Sequence, residues 1–306
     1  MSVKNQHGAV LLLVLIVVAL LSALLTDWAF STLVDMRLTE TFRDSNRAYY
    51  LARGGIEVGR ELLSLDSNEY DAPSEMWGVG VPAYPVSDEA TVSISLVDED
   101  RRFNLNQVVD NLGENPNPLM RDRLRRLLTQ LEIEDSEALS DALIDWIDRN
   151  QATSARGAEN SWYQGLAQPL ATKDGPLDTV DELLLVKGFT PVIVEKLTPY
   201  VTVAGVSRLN LNSAPKELLL IWDLDVLPSA IDQLLERRLE KPFKSLAEVQ
   251  EVLGIESYSA LNRNIDIAVT SQFYRITSEA QVNDGVRTVE ALIEKSGNRH
   301  LWRRVY

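Results

Sequence analysis

Asp141, Asp145 and Asp148 stand at i, i+4 and i+7, a spacing that puts three carboxylates on one face of a helix. Leu139, Leu143, Trp146 and Ile147 occupy the other side of the same turn pattern. Beyond the helix the chain runs through Asn150, Arg156, Gly157, Ala158, Glu159 and Asn160 before Trp162 and Tyr163. Carboxylate and amide oxygens from a helix end and its following loop suit a hard cation such as calcium, which takes six to eight oxygen ligands in flexible geometry. Asp145, Asp148, Asn150, Glu159 and Asn160 are therefore the candidate ligands. No EF-hand spacing fixes the set, and on spacing alone a solvated acidic face accounts for the same pattern.

Other chemistries have little to work with. The chain has no cysteine and only two histidines, His7 and His300, which removes disulfides, thiolate metal sites, a cysteine nucleophile and a histidine-based catalytic centre. It carries no Gly-x-Ser-x-Gly and no phosphate-binding glycine loop, so the reading is of a protein that is not an enzyme. A net charge of −15 and a pI near 4.7 disfavour a nucleic-acid surface and suit a soluble, extracytoplasmic body. At 306 residues the chain has room for two domains with separate cores.

The carboxylate helix belongs to a segment, about 102–265, that reads as helical and internally duplicated. Arg102-Phe-Asn-Leu-Asn106 is echoed by Arg208-Leu-Asn-Leu-Asn212, and the fourteen residues from Pro176 to Phe189 align without gaps on Pro242 to Ile255. In both copies a hydroxyl and a carboxylate three residues apart open a helix, Thr179 with Glu182 and Ser245 with Glu248. Both helices are expected to stop at a left-handed glycine, Gly188 and Gly254. The repeats are placed at about 102–205 and 206–265, the first longer by about forty residues that contain the carboxylates. Helix, glycine turn and helix is similar to the SAM and helix-hairpin-helix modules, the latter of which present turn amides to DNA phosphates. The rival function is therefore a membrane-anchored DNA-binding or uptake protein. Such a site needs basic residues at the turn; Lys187 and Lys196 flank the first, but Glu251 and Glu256 flank the second.

Two further stretches frame the insertion. Residues 9–25 are apolar at every position but Ser22, enough for a helix at the short end of what crosses ~30 Å of hydrocarbon. Lys4 precedes the run and Asp27 follows it, which orients the N-terminus to the cytoplasm. No proline occurs from Asp27 to Ser67, and Tyr49, Ala52, Ile56, Gly59 and Leu63 recur on one helical face, so span and stem are expected to form one helix to about residue 65. Residues 71–85 read as a loop. Residues 90–96 alternate as a half-buried strand, and residues 273–281 and 287–295 flank an Asn283-Asp284-Gly285 hairpin turn. Partners so far apart in sequence make the helical segment an insertion. The fold class is α+β: a long N-terminal transmembrane and stem helix packed on a small antiparallel sheet, with a large all-α insertion. The divisions are a leader at 1–8, a first part at 9–101, the insertion at 102–265, and C-terminal strands at 266–306.

A short basic leader ending in Gly8, then Ala9 and an apolar helix that continues into an amphipathic stem, resembles the type IV pilin-like proteins. An ordinary secretory signal peptide fits less well, since no Ala-x-Ala site follows the run. Most of that superfamily carry Glu at the fifth mature position, where this chain has Leu13. That departure, the insertion, and the phrases Asp145-Trp-Ile-Asp148, Gly157-Ala-Glu159, Leu185-Val-Lys-Gly-Phe189 and Leu209-Asn-Leu-Asn-Ser-Ala-Pro215 are similar to the K-type minor pseudopilins of type II secretion. The resemblance implies removal of the leader between Gly8 and Ala9 by a prepilin peptidase and calcium in the helical insertion. It further implies a place at the tip of a periplasmic pseudopilus, where the protein helps to nucleate assembly for export of folded proteins across the outer membrane. The implied partners are other minor pseudopilins, met through the stripe Tyr49, Ala52, Ile56 and Leu63 and through the sheet, together with the inner-membrane platform. No nucleic acid is expected. The chain would be a single-pass inner-membrane protein with a cytoplasmic N-terminus and a periplasmic body.

Overall fold

The computed structural model describes residues 7–205 and 208–306. Residues 1–6 of the expected leader lie outside the described residues, while Gly8 and Ala9, the expected processing residues, fall in the first helix.

Helix α1 (His7–Ser64) is continuous over 58 residues, about 85 Å at ~1.5 Å per residue. Its first half is apolar all round and touches nothing else in the chain: Leu13 is 63% exposed, Trp28 70% and Phe30 68%. A helix apolar on every side needs an apolar surrounding. Among the described residues α1 is the one helix long and apolar enough to cross a membrane. Its second half turns amphipathic, with Ala48, Ala52, Ile56 and Leu63 buried against the sheet. Gly55 and Gly59 lie so close to that sheet that a Cβ at either would strike the side chains of Ser278 or Ile276.

This packing corrects the expected partner stripe. Ala52, Ile56 and Leu63 are consumed by the body's own core, and Tyr49 packs half-buried at its margin, because the sheet covers the stripe they form. What remains free on the stem is the opposite face, where Tyr50 is 65% and Val58 48% exposed.

The chain then makes α2 (Met76–Val79), β1 (Val81–Ser87) and β2 (Ala90–Asp98). The stretch expected as loop therefore holds a helical turn and a strand. Trp77 pins the turn, buried and edge-on to Tyr274 at 4.9 Å. Pro82 and Pro85 are tolerated because β1 is an edge strand with irregular register.

The insertion follows with β3 (Phe103–Asn104), α3 (Pro118–Gln130), α4 (Ser136–Ile147), α5 (Asn160–Gln164), α6 (Pro191–Leu197), β4 (Val201–Thr202), β5 (Leu209–Asn210), α7 (Lys216–Trp222), α8 (Pro228–Glu240), α9 (Leu246–Leu261) and β6 (Ile267–Ala268). The sheet is completed by β7 (Phe273–Val282), β8 (Gly285–Glu294) and β9 (Arg299–Val305). It is antiparallel in the order β1-β2-β7-β8-β9. Asp98 pairs with Tyr274 at one end of β2 and Ala90 with Val282 at the other. The two-residue hairpin turn abuts the stem near Asp44, whose carboxylate accepts from Asn283 at 2.9 Å. The opposite end lies beside Asp66 and Asp71, both paired with Lys295, so the insertion leaves the sheet at the end far from the apolar half of α1.

The duplication is physical. β3 pairs in parallel with β4, and β5 with β6, so one short ladder closes each copy of a segment expected to be wholly helical. The second asparagine of each repeated phrase does the same work: Asn106 accepts from the Leu177 amide and donates to Val203 O, and Asn212 accepts from the Phe243 amide and donates to Val269 O. Thr179 and Glu182 form the full capping box, but the turn they open is a 3-10 helix, Val180–Leu185. Ser245 caps α9 while Glu248 takes the Lys244 amide instead of the Ser245 amide. Gly188 has φ +88°. Gly254 has φ 74° and ψ 166°, a kink with extended ψ in place of the expected left-handed stop.

Two buried polar contacts tie the parts together. Arg123, on α3 of the first copy, is fully buried, donates to Trp222 O and Asp266 of the second, and stacks on the Trp222 ring at 3.9 Å. At the junction with the sheet, Asn210 donates to Asp98 and to Asp71 O, and Ser213 donates to Asp98.

Candidate metal centre

Helix α4 has no solvated acidic side: Asp141, Asp145 and Asp148 are all buried. The apolar residues pack into the insertion's main core, and the segment from Arg149 to Glu159 folds back over the carboxylates. Asp141 is diverted from the group by Arg125, which donates to it at 2.7 Å, and it also accepts from the Arg156 amide. Asp145, Asp148 and Glu159 converge, offering one oxygen each within 4.8 Å of one another. Asp148 caps the end of α4 and Glu159 precedes α5, so two helix ends and the intervening loop bring them together. Gly157 lies under Asp145, where any Cβ would overlap the carboxylate. The Ser154 amide bridges both Asp145 oxygens at 3.2 and 3.1 Å.

Of the expected ligands, Asn150 sits beside Asp148 but has both side-chain ends engaged within the chain. Its side-chain oxygen accepts from the Ala152 amide at 2.7 Å, closing the turn after α4, and its nitrogen donates to Glu114 O at 2.8 Å, tying that turn to the loop before α3. Asn160 has a different setting, its Oδ1 buried with no partner. Sequence reasoning missed Asp174, whose charge reaches both Asp148 and Glu159. Only the Asp174-Gly175-Pro176 turn signal marked that segment.

The electrostatics are those of a site waiting for positive charge. Asp148 Oδ1 and both Glu159 oxygens are buried without a donor. Buried polar atoms are nearly always hydrogen-bonded, so this many neighbouring orphan acceptors needs an explanation. The nearby Lys187 does not supply it, since its Nζ donates to Gly157 O at 2.9 Å. Burial, then repulsion from Asp145, pushes the Asp148 carboxyl up to about 6 and Glu159 up to about 7. Burial raises Asp145 as well. An all-oxygen donor set with surplus negative charge fits a hard divalent cation and has no soft ligand to offer a transition metal. A second acidic group, Asp66, Asp71 and Glu75, does not fit. Lys295 already bonds Asp66 at 2.9 Å and Asp71 at 2.6 Å, and Glu75 accepts from the Ala72 amide and the Trp77 ring.

A pH dependence follows. A carboxyl whose folded pKa lies above its unfolded value of about 4 favours folding only while protonated, and every tenfold by which folding weakens the acid costs ~1.4 kcal/mol of stability once it ionises. In chelator, the helical insertion is expected to lose stability as pH rises from about 4 through the raised values near 6 and 7. With a bound divalent cation that loss should vanish. Thermal melts of the full chain at pH 5 and 7.5, with and without chelator, read the effect; an equal slope in an Asp148→Asn, Glu159→Gln double variant would rule out these groups as its source.

Comparison with known proteins places this cluster in a shared segment. Residues 101–206 match the family model for type II secretion system protein K. The chain is 25% identical to type II secretion system protein K of Aeromonas hydrophila, over 98% of this chain and 96% of that one. It is 26% identical to the protein of the same name from Pectobacterium carotovorum subsp. carotovorum, covering 97% and 94% of the two chains. Its fold is similar to a chain in the crystal structure of the GspK–GspI–GspJ complex of the enterotoxigenic Escherichia coli type 2 secretion system, with a TM-score of 0.74 at 19% identity, covering 88% of this chain and 99% of that one. With relatives aligned over nearly the whole chain, and the carboxylate cluster inside the matched segment, the chain is similar throughout its length to type II secretion system protein K.

Proposed function

We propose that this protein caps the tip of a periplasmic pseudopilus and helps to nucleate its assembly at the inner membrane, as a structural subunit and not an enzyme. The observation that carries this reading is the place of the insertion: it leaves the sheet at the end remote from the apolar half of α1, beside Asp66 and Asp71. In a fibre whose subunits lie with α1 toward the membrane, that bulk obstructs any subunit stacked above. Leu13 supports the same position, because a subunit with no acid between Ala9 and Asp27 cannot offset the buried terminal amine of a neighbour.

On this reading α1 crosses the inner membrane once, with the N-terminus in the cytoplasm and the body in the periplasm, after a prepilin peptidase has cut between Gly8 and Ala9. Calcium is the cation of the Asp145, Asp148 and Glu159 centre. The partners are other minor pseudopilins, the kind of assembly named for the GspK–GspI–GspJ structure, docking on the exposed stem face around Tyr50 and Val58. Gold labelling of the insertion on intact pseudopili, after a mass measurement confirms an N-terminus at Ala9, tests the assignment. Label at one end of each fibre is expected; label spaced along the shaft would overturn it.

A further inference from the structure

A second site lies at the seam between the sheet-bearing body and the insertion. A cavity of about 340 Å³ there is lined by Arg101 and Arg238 together with Ala72, Pro73, Leu239 and Pro242. Arg101 opens the insertion directly after β2, and Arg238 comes from α8 of the second repeat. The fold thus brings together two guanidinium groups 137 positions apart, against a wall contributed by the segment before α2.

Their setting departs from the rest of the chain. The protein carries 45 acidic and 30 basic residues, and three other largely buried arginines of the insertion are held by carboxylates, Arg102 by Glu99, Arg123 by Asp266 and Arg125 by Asp141. Arg101 and Arg238 form no ion pair among the described residues, and Arg101 Nε is buried with no partner at all. Arg238 is anchored through Nη1 alone, to Leu211 O at 2.7 Å and Ala214 O at 2.9 Å. Burial, and then the Arg101 charge, lower it to about 10. Holding two like charges together in a cavity without an acid is unfavourable unless an anion joins them. Guanidinium forks match a carboxylate in bidentate geometry. Ala72, Pro73, Leu239 and Pro242 beside those forks match a small apolar group attached to it, while Ser74, Asn212 and Ser213 complete the wall on the polar side.

We propose that this cavity binds a carboxylate borne on a small apolar group, held between the Arg101 and Arg238 guanidinium groups. A free carboxylic acid and the C-terminal end of a polypeptide share that chemistry. Such a ligand bridges the two halves of the seam and so fixes the insertion on the sheet.

The test is calorimetric titration of the full chain in detergent micelles with N-acetyl-leucine, N-acetyl-leucinamide, sodium sulfate, and a pentapeptide ending in leucine with a free carboxylate. Saturable one-site binding of N-acetyl-leucine is expected, with no binding of the amide and weaker binding of sulfate. Arg101→Gln, which breaks no ion pair among the described residues, should weaken the acid at least tenfold. Leu239→Glu, at a position 87% exposed on the cavity rim, should do the same by supplying an internal carboxylate. Tighter binding of the pentapeptide assigns the ligand to a chain end, and equal binding assigns it to a small acid. Equal binding of acid and amide, preference for sulfate, or an unchanged affinity in both variants would overturn the proposal.

Discussion

Removing calcium from the full-length protein is expected to lower the unfolding midpoint of its helical insertion by about 5–10 °C. At free calcium about a hundredfold above Kd, a ligand that binds only the folded state contributes ~2.7 kcal/mol, and each kcal/mol moves the midpoint of a domain of this size by about 2–4 °C. The origin of the effect is particular. Asp145, Asp148 and Glu159 are buried with surplus negative charge, and the orphan oxygens of Asp148 and Glu159 have no donor to take the cation's place. The variants separate this from a general salt effect. Asp148→Asn and Glu159→Gln should each abolish the response to chelator, and in chelator each should melt above the parent, because the mutual repulsion is gone while the fold of the loop is kept. Differential scanning calorimetry with calcium, with magnesium and with chelator reads all of this. A parent whose midpoint ignores chelator would remove calcium from the account of this site.

Arg123→Ala is expected to destabilise the insertion by ~3–5 kcal/mol, the range found when one partner of a buried ion pair is removed and the other is left uncompensated. Arg123 is fully buried, and its guanidinium spans the repeats by meeting Asp266, Trp222 O and the Trp222 ring. Asp266 would keep the Trp222 indole donor at 3.0 Å but lose its only cation. Truncation also opens a cavity in the core the two copies share. The double variant Arg123→Met, Asp266→Asn should recover much of the loss, since it removes both charges and keeps the volume. Urea denaturation of the insertion in calcium-containing buffer measures the three proteins. A cost below about 1 kcal/mol for the alanine variant, within the range of ordinary surface substitutions, would show that the repeats are held by apolar packing alone.

Much of the architecture was legible because its signals are local. A proline-free apolar run flowing into a 3–4 spaced stripe is α1; strict alternation at residues 90–96 and a two-residue Asn-Asp turn before Gly285 are three of the sheet's strands. The repeated Asn-Leu-Asn phrases and their downstream Pro-apolar pairs mark the duplication, and the asparagine clamps explain why those letters recur together. β1 and β9 were missed because edge strands carry weaker patterns, one interrupted by Pro82 and Pro85 and the other by four charged or titratable residues.

The carboxylates divide the same way. Residue type and i, i+4, i+7 spacing determined that three acids cluster along one helix and its C-terminal end and that any ligand they hold is a hard, positively charged one. Spacing cannot report what lies on the far side of a helix, and that decided everything else. Arg125 reaches across from α3 to neutralise Asp141, the turn after α4 and the loop at Glu114 engage the two ends of Asn150, and Glu159 is carried back to Asp145 and Asp148 by a loop whose Gly157 leaves room for the carboxylate. The stem shows the limit from the other side. Periodicity identified its apolar face, but only the tertiary structure assigned that face to the protein's own sheet, because a helix stripe is the same whether a domain or a partner covers it. The arginines at the seam could not be read from sequence at all: Arg101 and Arg238 acquire meaning from a juxtaposition made by the insertion's return to the sheet, a long-range contact that no local pattern encodes.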